Sequence, residues 1–297
     1  MNKSNFKFTV RDSALLVDLY KHRFLTISQL QRLHFPSMQT AYRRLRLLKE
    51  VGLAASFMVA NISESIFTVD RKGLEAVAAA LGTEVSDLRL TDIKSKPRDH
   101  FFMRHFLAIN DFRIILKQAC NREKVRLLGF IPDYQGERTE RRGIAKYIRD
   151  VVCDITTERD QVSHTPDGVF ALEKEGRTAL FFLEIDRGTE IVSDNTKGVL
   201  KSLRFYTNYL IEGGYQRYAK DFRIGTLKGF RALYLTTSKT RLINIRKAAF
   251  GLQVPQKAKH FIWLALFQDI TSGNLFLPVW RSIDPDDNKV YSIGGKS

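Results

Sequence analysis

The sequence predicts an α/β protein in two parts: three helices and a hairpin first, then an α-β-β-β-α-β order with a further helix and strand. Three observations predict it. Apolar residues recur at helical spacing through the first fifty positions, and short strand-like apolar runs appear later, at Val125–Ile131 and His260–Phe267. A polar stretch containing Lys94, Lys96 and Pro97 separates the two regions. The chain has 297 residues, 44% of them hydrophobic and 11% aromatic, which suffices for two packed cores. Its charge is uneven, with 48 Lys and Arg against 32 Asp and Glu, a net +16. Such an excess points to a polyanionic partner, nucleic acid first and an anionic membrane second. No run approaches the length of a membrane span, and the first residues lack an apolar signal core, so no membrane partner is expected. Cys120 and Cys153 form no CxxC pair, which argues against zinc and for a reducing cytoplasm.

The boundaries read as a first domain over 1–83, a linker over 84–98, a second domain over 99–285 and a flexible tail over 286–297. In the first domain, Leu15, Leu16 and Leu19 give a helix from Val10 to His22. Thr26 caps a short second helix, and Phe35-Pro36-Ser37 makes a turn in which Ser37 caps a third, running to about Val51. Ala41, Leu45 and Leu48 form the buried stripe of that third helix. Its other face carries Gln39, Arg43 and Arg46, flanked by Arg44 and Lys49. Apolar stretches at Leu53–Ala60 and Ile66–Val69 enclose a turn, and Arg71–Leu81 is a further helix closed by Gly82. This order resembles a winged helix-turn-helix. Arginine and glutamine on its third helix suit guanine and adenine edges in the major groove of double-stranded DNA. The wing tip carries Glu64 and no cation, leaving Arg71 and Lys72 just beyond it.

In the second domain Phe102, Phe106, Ile109, Phe112 and Leu116 mark a helix over Asp99–Asn121. A strand over Val125–Ile131 follows, and Pro132–Gln161 reads as a charged, irregular excursion. Two adjacent strands then carry Thr165-Pro166-Asp167-Gly168-Val169-Phe170 and Leu180-Phe181-Phe182-Leu183-Glu184-Ile185-Asp186. Strand alternation turns Glu184 and Asp186 to one face, away from Leu183 and Ile185. Asp167, Glu184 and Asp186 at one sheet edge would repel one another unless a hard cation such as Mg²⁺ or Mn²⁺ sat among them. Lys197–Ile211 reads as a helix, Gly229–Thr236 as a strand, Lys239–Phe250 as a helix and His260–Phe267 as the last strand.

That order and the placement of the acids resemble the PD-(D/E)xK nuclease superfamily, with Pro166-Asp167 as its PD element. Glu184-Ile185-Asp186 stands for (D/E)-x-K, an aspartate replacing the lysine. More narrowly, Pro166-Asp167 and Phe182-Leu183-Glu184-Ile185-Asp186-Arg187-Gly188-Thr189-Glu190 resemble the replication-relaxation family of plasmids and mobile elements, as do Lys201 and Tyr206 and the N-terminal helices. The resemblance covers most of residues 10–270. It implies action on plasmid or mobile-element DNA in replication, relaxation or mobilisation, alongside replication or mobilisation proteins, with a homodimer an allowed assembly.

Two functions follow. In one, Asp167, Glu184 and Asp186 are both metal ligands and catalytic residues of a metal-dependent nickase, the metal activating water. In the other, the domain has lost hydrolysis and only grips DNA or a partner in replication initiation or regulation. Either way Arg187, Lys197, Lys201, Arg204 and Tyr206 are expected along the DNA backbone. Tyr206 and Tyr209 also offer a tyrosine nucleophile as a minority reading. His164, two residues before Pro166, is placed to touch phosphate, whereas His100 and His105 sit on different helix faces. The terminal Gly-Gly-Lys-Ser is no phosphate loop, because no helix follows it.

Overall fold

The computed structural model describes residues 6–88, 100–139, 143–154, 160–188, 192, 198–251 and 259–293. The chain divides into two units, Met1–Ile114 and Ile115–Ser297. In the first, α1 (Val10–His22), β1 (Leu25–Thr26), α2 (Ile27–His34), α3 (Met38–Glu50), β2 (Ala54–Phe57), β3 (Ile66–Val69) and α4 (Arg71–Leu81) follow in order. Local chemistry sets the helix ends. Thr9 with Asp12, and Thr26 with Gln29, form reciprocal capping boxes on α1 and α2. Ser37 caps α3, and left-handed Gly82 closes α4. The three short strands form a sheet in the order β1-β3-β2. Leu15, Leu16, Leu19, Leu30, Ala41, Leu45 and Leu48 share one core above it.

The unit boundary falls inside α5 (His100–Glu123), a helix the sequence reading gives wholly to the second domain. Its amino-terminal half builds the first unit. Phe106 meets Phe24 edge-on at 5.4 Å, and Gln29 Nε2 donates to the Leu107 carbonyl at 2.9 Å. Asn110 Nδ2 donates to the carbonyls of His22 and Phe24 at 3.1 and 2.8 Å, satisfying acceptors where α1 gives way to β1. Of the expected linker, residues 84–88 are described and 89–98 lie outside the described residues.

The second unit continues with β4 (Arg126–Pro132), β5 (Gly136–Thr139), β6 (Gly143–Lys146), β7 (Asp150–Cys153), β8 (Gln161–His164), β9 (Gly168–Lys174) and β10 (Arg177–Asp186). Then come α6 (Gly198–Glu212), α7 (Tyr218–Asp221), β11 (Arg231–Thr236), α8 (Lys239–Gly251), β12 (Ile262–Leu266), β13 (Trp280–Ser282) and β14 (Val290–Tyr291). Seven strands form one mixed sheet, ordered β14-β13-β12-β11-β10-β9-β4. β10, β11 and β12 run parallel, and the outer pairings are antiparallel. Phe182 on β10 packs among Tyr206 and Tyr209 of α6, Tyr218 of α7 and Phe230, so this face of the strand lies under helices.

Two expectations are corrected. Pro132–Gln161 is no irregular excursion: it holds the hairpin β5–β6 and β7, whose partner is β8. Long-range polar contacts fix β7. Asp150 accepts from Tyr209 at 2.7 Å, and the Cys153 N–H donates to Glu212 at 2.7 Å, neither of which leaves a periodic sequence signal. The tail from 286 is also partly folded. β14 pairs with β13, and Arg246 binds the carbonyls of Asp284 and Asp287, the latter at 2.7 Å. Residues 294–297 lie outside the described residues, with the terminal Gly-Gly-Lys-Ser. Among the described residues no helix is long and apolar enough to cross a membrane.

Candidate functional site

Two places carry the sequence-predicted site residues. On α3 the burial of Ala41, Leu45 and Leu48 turns Gln39, Arg43, Arg46 and Lys49 outward, and all four are exposed. Arg46 lies 3.4 Å from Glu50 one turn on, an exposed pair of little strength. Tyr42, also 57% exposed, joins this face and was not singled out in the sequence, because a tyrosine among arginines carries no periodic signal. Arg44 behaves differently. Its guanidinium forms a two-pronged ion pair with the fully buried Asp12, with Nε donating at 2.7 Å, and binds the Lys7 carbonyl at 2.8 Å. Burial works to raise the Asp12 pKa, but Arg44 and Thr9 outweigh it and hold the group below its ordinary value. Glu64, in the β2–β3 turn, accepts from the Ser28 N–H at 2.9 Å in the first turn of α2, where the helix dipole favours an anion.

The acidic site forms where β9 meets the carboxyl end of β10. Gly168 pairs with Leu183, and a Cβ on Gly168 would lie 2.3 Å from the Phe130 ring, so only glycine admits that ring. Asp167, just before it, donates its N–H to the Leu183 carbonyl at 3.0 Å. Its side chain accepts from the Ile185 N–H at 2.6 Å, continuing the β10 ladder with a carboxylate. Glu184 faces α6, as strand alternation requires. His164 Nε2 lies 2.7 Å from its Oε1, and the Tyr206 hydroxyl donates to the same oxygen. Burial raises the Glu184 pKa first; His164 and Tyr206 oppose this, Asp167 adds to it, and the net shift is upward. Burial and the Glu184 charge also push the Tyr206 phenol well above its ordinary value.

Asp186, two residues on, has separate partners. Arg241 in the first turn of α8 binds it two-pronged, at 2.8 and 2.9 Å, and Thr236 Oγ1 donates to it at 3.0 Å. The Gly188 N–H donates to Oδ1 at 3.0 Å. A guanidinium therefore neutralises the carboxylate expected to complete a metal site. Among the described residues no group of three or more Asp, Glu, His or Cys side chains is arranged to hold a metal ion. The donor set as it stands does not fit the Mg²⁺ or Mn²⁺ that the nuclease resemblance implies. Arg241 escaped the sequence reading because it lies 55 residues from Asp186, and only the parallel pairing of β10 with β11 brings α8 to that strand end.

The cations expected beside this site are placed unevenly. Arg204 pairs with buried Asp154 at 3.3 Å, and Lys201 is half-buried on α6. Arg187 directly follows β10, and Lys197 lies outside the described residues. Tyr206 is 1% exposed and offers no surface to DNA. Neither tyrosine suits nucleophilic attack. Both are buried and donate hydrogen bonds, Tyr206 to Glu184 and Tyr209 to Asp150, and burial and Asp150 push the Tyr209 pKa far up as well.

A family model described as replication-relaxation matches residues 16–223, more than half of the chain. No curated protein and no solved structure gives a significant match. The matched span takes in α3, the Asp167–Glu184–Asp186 corner and α6. On that match, the chain belongs to the replication-relaxation family.

Proposed function

We propose that this protein binds double-stranded DNA through α3 of a winged helix-turn-helix and serves the replication or relaxation of plasmid or mobile-element DNA. The second unit, read as a degenerate PD-(D/E)xK domain, holds DNA or a protein partner without cutting. The observation that carries the DNA reading is the outward row of Gln39, Arg43, Arg46 and Lys49 on a helix whose opposite face is fully buried. A net charge of +16 supports it. The observation that carries the non-hydrolytic reading is the two-pronged Arg241–Asp186 pair.

Fluorescence anisotropy on a short duplex across a salt series tests the first claim. Replacing Arg43 and Arg46 by alanine is expected to weaken binding, by about 1–3 kcal/mol for an arginine that contacts a base and with a shallower salt slope for one that contacts phosphate. A duplex affinity indifferent to both substitutions would sink the assignment.

A metal-dependent nickase is the second reading, favoured by the electrostatic closeness of Asp167 and Glu184. It requires Arg241 to release Asp186. Supercoiled plasmid incubated with Mn²⁺ is expected to stay supercoiled; nicks that vanish in Asp167→Ala would reverse the order of the two readings.

A further inference from the structure

The amino ends of β10 and β11, with Trp263 of β12 and Tyr291 of β14, border a cleft of about 1260 Å³. It is separate from the acidic corner. Arg231 pairs with Phe181 at one end of the β10–β11 ladder, and Thr236 pairs with Asp186 at the other, roughly 16 Å further along. The lining includes the cations Arg177, Lys228, Arg231 and Lys289 and, among the described residues, no acidic side chain.

Arg231 is held in an unusual setting. Its guanidinium carbon lies 4.8 Å from the Phe261 ring centre and 5.0 Å from that of Trp263. Nη1 donates to the Phe230 carbonyl at 3.2 Å, while Nε is buried and has no hydrogen-bond partner among the described residues. Burial depresses its pKa, the sign of a cation whose lost hydration is under-compensated. Trp263 in turn stacks on Tyr291, with ring centres 5.3 Å apart. A Cβ at Gly229 would come within 2.7 Å of the Phe261 ring, so glycine there lets the ring close on the backbone. The result is a guanidinium lying against two aromatic rings at the wall of an open cleft, with the exposed cations Arg177, Lys228 and Lys289 around it. An anion reaching that guanidinium relieves the uncompensated burial, and aromatic surfaces beside it suit a planar ring.

We propose that this cleft binds a nucleotide, a planar base with its phosphate, either free or as one unit of single-stranded DNA. The phosphate meets Arg231 and the exposed Lys228 and Lys289, and the base lies against the rings of Phe261 and Tyr291. The volume is ample for one such unit. This site does not depend on the reading of α3.

The test uses the full chain, titrated by calorimetry with three probes: dTMP, a 5′-phosphorylated thymidine tetranucleotide and inorganic phosphate. Saturable binding of either thymidine probe is expected, weakened about tenfold or more in Arg231→Gln through loss of a charge-assisted contact. Because Arg231 is largely buried, Lys228→Ala/Lys289→Ala at exposed positions provides a second variant that leaves the core intact. It is expected to lower affinity several-fold and flatten the salt dependence. Tighter binding of the tetranucleotide assigns the site to a DNA strand, and equal binding assigns it to a free nucleotide. Binding must persist in Arg43→Ala/Arg46→Ala, which separates failure here from failure of the duplex assignment. The proposal is overturned if neither thymidine probe binds, if inorganic phosphate binds as well as they do, or if both cleft variants retain wild-type affinity.

Discussion

Arg44 and Asp12 show how little a residue's type says about its task. Arg44 sits in an arginine-rich run on α3, yet its charge is committed to an acid with no solvent exposure. Removing one partner of such a pair leaves a buried charge alone, so Arg44→Ala is expected to cost about 3–5 kcal/mol in urea unfolding. Arg44→Ala/Asp12→Asn should recover part of that, because no charge is stranded. Asp12 has a depressed pKa, so its contribution is present above its ordinary 3.8 and lost as pH falls through the lower folded value. The stability gap between wild type and the double variant should therefore narrow in acid. Glu184 has the opposite sign. Its folded pKa is raised from 4.5, so its share of stability is full below that value and lost as pH rises through the folded one. Glu184→Gln carries no charge to bury, and its melting temperature should climb relative to wild type as pH increases from 4.5 towards neutrality. A constant difference across that range would refute the buried-acid account of this residue.

At the scale of elements, the β9–β10 pair turns a sequence motif into a site. Gly168 lets Phe130 lie against the strand, and Phe130 stacks on Phe170, with ring centres 5.9 Å apart. Asp167 is thereby held where its carboxylate accepts from Ile185. Gly168→Ala should force the Phe130 ring aside and cost about 1–2 kcal/mol, a typical overpacking penalty. Phe130→Leu in the same chain should relieve it, which chemical denaturation of the two variants would check. The helix α3 works by the opposite principle: its buried stripe is common packing, and the role proposed for it rests on what that packing turns outward. Periodicity exposes such a division readily, which is why Gln39, Arg43, Arg46 and Lys49 were legible from sequence. The order of β7 and β14 was not legible, because both strands are only a few residues long and lean on partners far away in the chain, Tyr209 and Glu212 for β7 and, for the turn that leads into β14, Arg246.

For the whole molecule, the boundary between units is informative because it falls within a helix rather than in the polar stretch before it. The first unit needs the amino-terminal half of α5. Without it, the carbonyls of His22 and Phe24 lose Asn110, and Phe24 loses the ring of Phe106. A fragment of residues 6–114 is expected to unfold cooperatively. A fragment of residues 6–88 should be less stable by several kcal/mol, since it loses the hydrogen bonds of Asn110, the Phe106 ring on Phe24 and the apolar burial of Ile114 in the first-unit core, each about 1 kcal/mol or more. Equal unfolding midpoints for the two fragments would contradict this division.

The sequence by itself determined helices α1 to α4 of the first unit, the caps Thr26, Ser37 and Gly82, the strand bearing Glu184 and its neighbour that begins just after Asp167, and membership of the replication-relaxation family. These are local properties, written in the spacing of apolar residues, in the chemistry of caps and in a contiguous motif. Only the tertiary structure decided which charges are occupied. Arg44 is bound to Asp12, Arg204 to Asp154, and Arg241 to Asp186 across 55 residues of chain. Whether a cation faces solvent or a buried acid depends on which elements the sheet brings together, and that pairing has no period for a sequence to display.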